Sequence, residues 1–275
     1  SGESEVGGII GENINQSILN NENKPRLTIS NKGNVSATDG GAAGIFYDNK
    51  SVIDNVDLVN EGTVTGGAGA NSITGGLFGV NSGNITNSTL TNNGEVTGGG
   101  AVGGLIGNNS GSASGSVFTN DGIVEGEDKV GGLFGINSGS FNTSSLINTV
   151  NAQVTGKREV GGLIGVNSGN IEGGRLEANG TNGYYKYQIY NNGTINVTEE
   201  GTYIGGLFGT NSGEVKAAYN TGVINAGQSS NVGGIAGVNE QGGKLDQVFN
   251  TVMTGVDDEG NTVYGTITGK DNVGG

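Results

Sequence analysis

The chain of 275 residues has no cysteine, no histidine and no tryptophan, and carries a single proline and a single methionine. Without histidine there is no Ser-His-Asp triad, no HExxH zinc site and no imidazole acid–base chemistry. Without cysteine there is no disulfide framework, no thiolate nucleophile and no cysteine-held metal. Basic residues are also scarce. Twelve Lys and Arg face 26 Asp and Glu, a net charge of −14. Such a chain repels a phosphate backbone and an anionic membrane surface, so nucleic acid and membrane are not its partners. No apolar run approaches the ~18 residues of a transmembrane helix, so membrane insertion is not expected.

What is present is glycine, 59 residues of it, about three times the usual ~7%. Collagen is excluded, because the glycines do not fall at every third position and proline is nearly absent. A disordered low-complexity chain has no use for Val, Ile, Leu and Phe at regular positions, and here they are regular.

The regularity is a repeat. The segment Val130–Gly139 reads VGGLFGINSG and recurs at 102–111, 160–169, 204–213 and, with Thr in first place, at 74–83. Shorter copies lie at 6–13 and 232–239. A degraded one, AAGIFYDN, covers 42–49, where Tyr47 and Asp48 break the pattern, and a last copy begins at Val273. The second glycine of each copy falls at 8, 44, 76, 104, 132, 162, 206, 234 and 275, so the unit is 28 residues with insertions. A second motif, apolar-x-Asn, ends at Asn31, Asn60, Asn92, Asn120, Asn148, Asn191, Asn220 and Asn250.

Each unit therefore holds three short apolar segments punctuated by Asn, Ser and Gly, the signature of strands. Glycine interrupts any helical period. Three strands per ~28-residue coil describe an all-β fold, a single-stranded parallel β-helix. We expect one right-handed domain of about eight coils over 1–275, with insertions near 14–28, 172–188 and 255–266. Ser1 follows no targeting segment and Val273-Gly274-Gly275 stops mid-motif, which reads as an excerpt of a longer chain.

Identical positions in adjacent coils stack. Asn49, Asn81, Asn109, Asn137, Asn167, Asn211 and Asn239 are expected to form one corner ladder, each amide donating to the next coil, with Asn tolerating the left-handed backbone that the corner needs. The glycines are expected to supply positive φ and tight corners. Strict alternation in Val160–Val166 would bury Val160, Ile164 and Val166 and turn Leu163 outward, together with Leu77, Leu105, Leu133 and Leu207. A bend at the glycine pair turns these leucines inward instead, and is the expected solution.

The motif V-G-G-L-[IF]-G-x-N-S-G resembles the GLUG repeat, which is found in large bacterial surface proteins, including filamentous-haemagglutinin-like adhesins and immunoglobulin A-specific metallopeptidases. The resemblance covers essentially the whole chain. It implies a secreted or cell-surface bacterial protein with a structural and adhesive role, whose partners are a host glycan or protein, or copies of itself. It implies no catalytic residue and no cofactor. A non-catalytic spacer of an immunoglobulin-cleaving peptidase and a self-assembling filament subunit are the other roles that it allows.

The insert near 172–188 carries Arg175, Tyr184, Tyr185 and Tyr187. These could stack on sugar rings or seat a protein partner, or the insert could be a hairpin covering the rod. Asp257-Asp258-Glu259-Gly260-Asn261 lacks EF-hand spacing and reads as a solvated turn. Glu125, Glu127 and Asp128 read likewise. The pair Glu199 and Glu200, without clustered Asp and basic residues, does not make a glycosidase or lyase site, and we expect no enzyme.

Overall fold

The computed structural model describes residues 2–14, 19–20, 26–173, 176–177, 184–185, 188–251, 253–256, 262–264, 267–268 and 271–274. Among them every coil-to-coil pairing is parallel, and the chain winds as a β-helix of three sheets. The second sheet takes one strand from each coil. Its eight strands run from Ile10–Asn13 to Ala236–Asn239, which makes seven steps from coil to coil. The first sheet, of 15 strands, and the third, of 14, each take two short segments per coil. The expected three strands per coil are thus three sheets built from more and shorter segments.

Register follows the repeat. Phe78 stands between Phe46 and Ile106, and Asn81 between Asn49 and Asn109. The interior forms two apolar columns. The larger lines the second and third sheets and holds Phe46, Phe78, Phe118, Phe134, Phe141 and Phe208, all at most 1% exposed. The smaller is the Val and Ile row of the first sheet, Val102, Val130, Val160 and Ile204 among them. A side chain of this size contributes about 1.5–3 kcal/mol on full burial, and repetition multiplies the effect.

The bend at the glycine pair is present. Leu77, Leu105, Leu133, Leu163 and Leu207 are fully buried. Leucine and the Phe or Ile after it both face inward because the chain turns from one sheet to the next between them. Val166, expected inside, is instead half-buried on the outer face.

The glycines are there for closeness of approach rather than for positive φ. Among the described residues only Gly115, Gly227 and Gly242 have positive φ. In the copy at 130–139, a Cβ on Gly131 would stand 2.0 Å from the Phe134 carbonyl oxygen across the bend. On Gly132 it would stand 2.3 Å from the Gly162 oxygen of the next coil and 2.6 Å from Asn148 Oδ1. On Gly135 it would stand 2.7 Å from both the Gly107 oxygen and the Val102 nitrogen. The second of these positions is glycine in all nine copies.

The left-handed corners belong to other residues. Asn55, Asn87, Gly115, Thr143, Ala217 and Gln247 occupy one corner, between the two segments of the third sheet. Lys129, Glu159, Tyr203 and Asn231 occupy another, just before the Val or Ile of the motif. The expectation that the ladder asparagines hold the left-handed corner is therefore corrected. Their backbone is ordinary, and their role is carried by the side chain.

Two substitutions test this packing. Gly132→Ala is expected to lower stability by about 2–3 kcal/mol, because the methyl meets backbone that cannot yield. Thr74 sits in the Val row at 0% exposure with its hydroxyl unpartnered. Thr74→Val removes that buried hydroxyl and is expected to raise stability by about 1 kcal/mol. Chemical denaturation of each variant measures both.

Candidate functional site

The ladder forms as expected. Each Asn Nδ2 donates to Oδ1 of the Asn one coil on, through Asn49, Asn81, Asn109, Asn137, Asn167, Asn211 and Asn239, at 2.7–2.9 Å. Asn13 extends the row by one coil. The second amide hydrogen goes to the carbonyl two residues on, as from Asn137 to Gly139 at 3.0 Å.

A second ladder runs beside it. The apolar-x-Asn residues donate in the same direction, from Asn31 through Asn60, Asn92, Asn120, Asn148, Asn191 and Asn220 to Asn250. The periodicity in the sequence marks these positions, and their pairing follows from the same spacing. A third row was not read from the sequence. Ser88, Ser116 and Ser144 are buried, and their hydroxyls accept from the backbone N–H of Val56, Ser88 and Ser116 on the coil before. Their signal is a small hydroxyl residue just after the left-handed corner in three consecutive coils.

Of the candidate binding residues, Arg175 and Tyr187 lie outside the described residues. Tyr184–Tyr185 forms a short strand antiparallel to Leu176–Glu177, with Tyr185 opposite Leu176 and Tyr184 opposite Glu177. The location of this insert is informative. It leaves the rod after Ile171–Glu172 and rejoins at Ile189–Asn191, between the two segments of the third sheet. In the coils without an insert a single left-handed residue makes that corner. The first insert opens the same corner, between Leu19–Asn20 and Leu27–Asn31. The two therefore leave from one edge, five coil steps apart, or about 24 Å at ~4.8 Å per step. The third insert leaves elsewhere, between Lys244–Asn250 and Ile267–Thr268, and its Met253–Val256 and Thr262–Tyr264 strands pair antiparallel. Residues 257–261 lie outside the described residues.

On the outer face of the third sheet three aromatic rings follow in register. Tyr190 stacks on Tyr219 at 5.1 Å and Tyr219 on Phe249 at 5.5 Å, with planes within 17° and 8°. The equivalent positions in earlier coils hold Val59, Thr91, Thr119 and Ile147. Burial pushes both tyrosine hydroxyls above their ordinary pKa.

The acidic turn at 125–128 is not simply solvated. Asp128 has its side chain 14% exposed and meets Lys129 at 2.8 Å and Arg158 at 3.4 Å. Burial raises its pKa, and these two cations more than offset that and hold it below the usual carboxylate range. Among the described residues no three His, Cys, Asp or Glu side chains converge to hold a metal ion. No helix there is long and apolar enough to cross a membrane.

Compared with known family profiles, curated proteins and solved structures, the chain matches none.

The ladder is open to a direct test. Asn137→Asp removes one donor and sets a carboxylate oxygen against the Gly139 carbonyl and Asn167 Oδ1, both hydrogen-bonded to Asn137. A loss of about 3 kcal/mol is expected at neutral pH. Burial raises the folded-state pKa of the introduced carboxyl above its unfolded value, so the penalty is present above that folded pKa and fades as pH falls through it. Denaturation midpoints of both chains from pH 7 to pH 4 are the measurement. A gap that does not narrow means that the carboxylate is solvated.

Proposed function

We propose that this chain is a structural and adhesive segment of a secreted or cell-surface bacterial protein. It is a rod that holds recognition loops at fixed positions away from its anchorage. The observation that carries this reading is the common exit of two inserts from one edge, at the corner between the two segments of the third sheet. A coil closes that corner with one residue, so added chain there is not needed for folding. Added chain that is not needed for folding and recurs on one edge fits display. The likeness of the motif to the GLUG repeat of bacterial surface proteins supports the same reading. So does an interior made of stacked rows, which can be lengthened by whole coils without redesign.

The partner is a host glycan or a host protein, met by the tyrosine-bearing insert. Tyrosine suits this role because a rigid ring with one polar tip contacts both sugar faces and protein surfaces at small entropic cost. The double variant Tyr184→Ala with Tyr185→Ala is expected to lower binding on a glycan array or a host-protein panel by at least about tenfold, roughly the worth of one interface aromatic. The melting temperature stays unchanged, since the insert lies outside the stacked coils. Unchanged binding removes the insert from the reading. Electron microscopy of the same protein separates display from polymerisation. Single short rods are expected, and long fibres would make it a filament subunit.

A further inference from the structure

Strand register decides which side chains of adjacent coils stand face to face. Among the described residues five such pairs carry charge on both members. Four are opposite in sign: Asp128 with Arg158, Glu172 with Lys216, Glu214 with Lys244, and Lys216 with Asp246. The fifth, Glu12 with Asp48, sets carboxylate on carboxylate. Like charges directly opposite destabilise a sheet, so this pair runs against the rule that the rest of the rod follows.

The same coil is the one that departs from the repeat. Where other copies carry the third motif glycine, as at Gly79 and Gly135, it carries Tyr47. Where the copies that follow carry a neutral outward residue, as at Val80 and Ile136, it carries Asp48. The Tyr47 ring lies over the bare backbone of Gly79 and Gly41, where a Cβ would stand 2.7 and 2.8 Å from ring atoms. Tyr47 is 7% exposed, and its hydroxyl hydrogen-bonds to none of the described residues. Asp48 Oδ1 is buried and also without a donor. Lys50 takes up the other carboxylate oxygens, Glu12 Oε1 at 2.5 Å and Asp48 Oδ2 at 2.8 Å. These side chains, with Glu5 and Gly11, line an open cleft of about 450 Å³. Its field is negative. Burial first, then the charges of Glu5 and Asp48, push the Tyr47 hydroxyl up to about 12.

We propose that this cleft seats a guanidinium group, the head of an arginine side chain presented by a partner protein. The acceptors that face the cleft belong to three separate residues, Tyr47, Asp48 and the exposed Glu5. Five N–H donors fanned in a plane reach such a set, whereas an ammonium concentrates its three donors at one point. A metal ion fits less well, because no three acidic side chains converge here. Lys50 acts as a resident counter-ion that offsets part of the cleft's negative charge and yields part of its hold when the guest enters. The site is independent of the tyrosine-bearing insert, so either can fail alone.

The test titrates the full chain with N-acetyl-arginine amide, and in parallel with N-acetyl-lysine amide and with calcium chloride. The readout is the heat of binding at pH 7, where both organic probes carry their charge. Saturable binding of the arginine probe is expected, and it weakens in Tyr47→Phe, which lacks the phenol oxygen. Asp48→Asn is expected to weaken binding about tenfold, the scale of one hydrogen bond to a charged group. Lys50→Gln is expected to strengthen it, a gain that misfolding cannot produce. Glu240→Gln, exposed and in the last coil of the second sheet, leaves it unchanged. An equal loss in Glu240→Gln would assign binding to net charge alone. Preference for the lysine probe or for calcium, or no saturable change at all, would overturn the proposal.

Discussion

A buried asparagine amide has two hydrogens to give and lone pairs to fill, and leaving them unmet costs more than burying its two carbons gains. No single coil of this chain can meet those needs, but a stack of identical coils can. Asn109 donates to Asn137 and to Gly111, while Asn137 donates onward to Asn167 and to Gly139. Each link demands the same residue at the same place one turn on, with a carbonyl two residues further aimed back at it. The ladder thereby fixes the register of every neighbouring strand. All the dipoles in a row point one way, so each bond strengthens the next. The glycine of Asn-Ser-Gly belongs to the same device. A Cβ on Gly83 would stand 2.8 Å from Asn49 Nδ2 and 1.9 Å from the Ser51 oxygen. Asparagine and glycine are thus one requirement written as two residues.

That requirement explains a composition that at first excludes more than it reveals. Glycine at one residue in five would ordinarily weaken strands through backbone entropy. Here the loss is offset because the missing Cβ lets backbone pack on backbone, and because the two apolar columns are continuous along the rod. The absence of cysteine and the near absence of proline fit the same picture. A ladder that ties every coil to the next leaves no loop needing a covalent clamp, and proline would remove an N–H that the parallel sheets use.

The architecture was legible because the period of 28 carries it. The two motifs locate the Asn rows, the inward leucines and the insert positions. Sequence and structure part where one residue type serves two physical ends. Glycine suggests conformational freedom, yet its use at Gly132 is space. Asparagine at Asn137 suggests a left-handed residue, yet Thr143 and Ala217 hold that backbone conformation. A sequence pattern reports that a position is constrained but not whether φ, volume or hydrogen bonding constrains it. Val166 shows the same limit. It lies in an apolar row by spacing and half-outside by geometry, because the bend at the glycine pair shifts the alternation by one. The Ser88–Ser116–Ser144 row is faint in the sequence because it spans only three coils and serine is common elsewhere.

Outward positions obey a different logic, and it is there that function must lie. The interior tolerates little variation, whereas the outer faces change from coil to coil, limited chiefly by what stands one rung away. Opposite charges pair in register, as Asp128 does with Arg158 and Glu214 with Lys244. At the surface such pairs are worth only tenths of a kcal/mol to about 1 kcal/mol, so their consistency reflects avoidance of like-charge contact more than a search for stability. Against so weak a constraint one violation would mean little by itself. The contact of Glu12 with Asp48 gains meaning from coinciding with the loss of the motif glycine at Tyr47 and with a buried Asp48 oxygen left without a donor. Three departures in one coil, all on one face, are hard to attribute to drift in a chain that keeps its register through seven other strands of the same sheet.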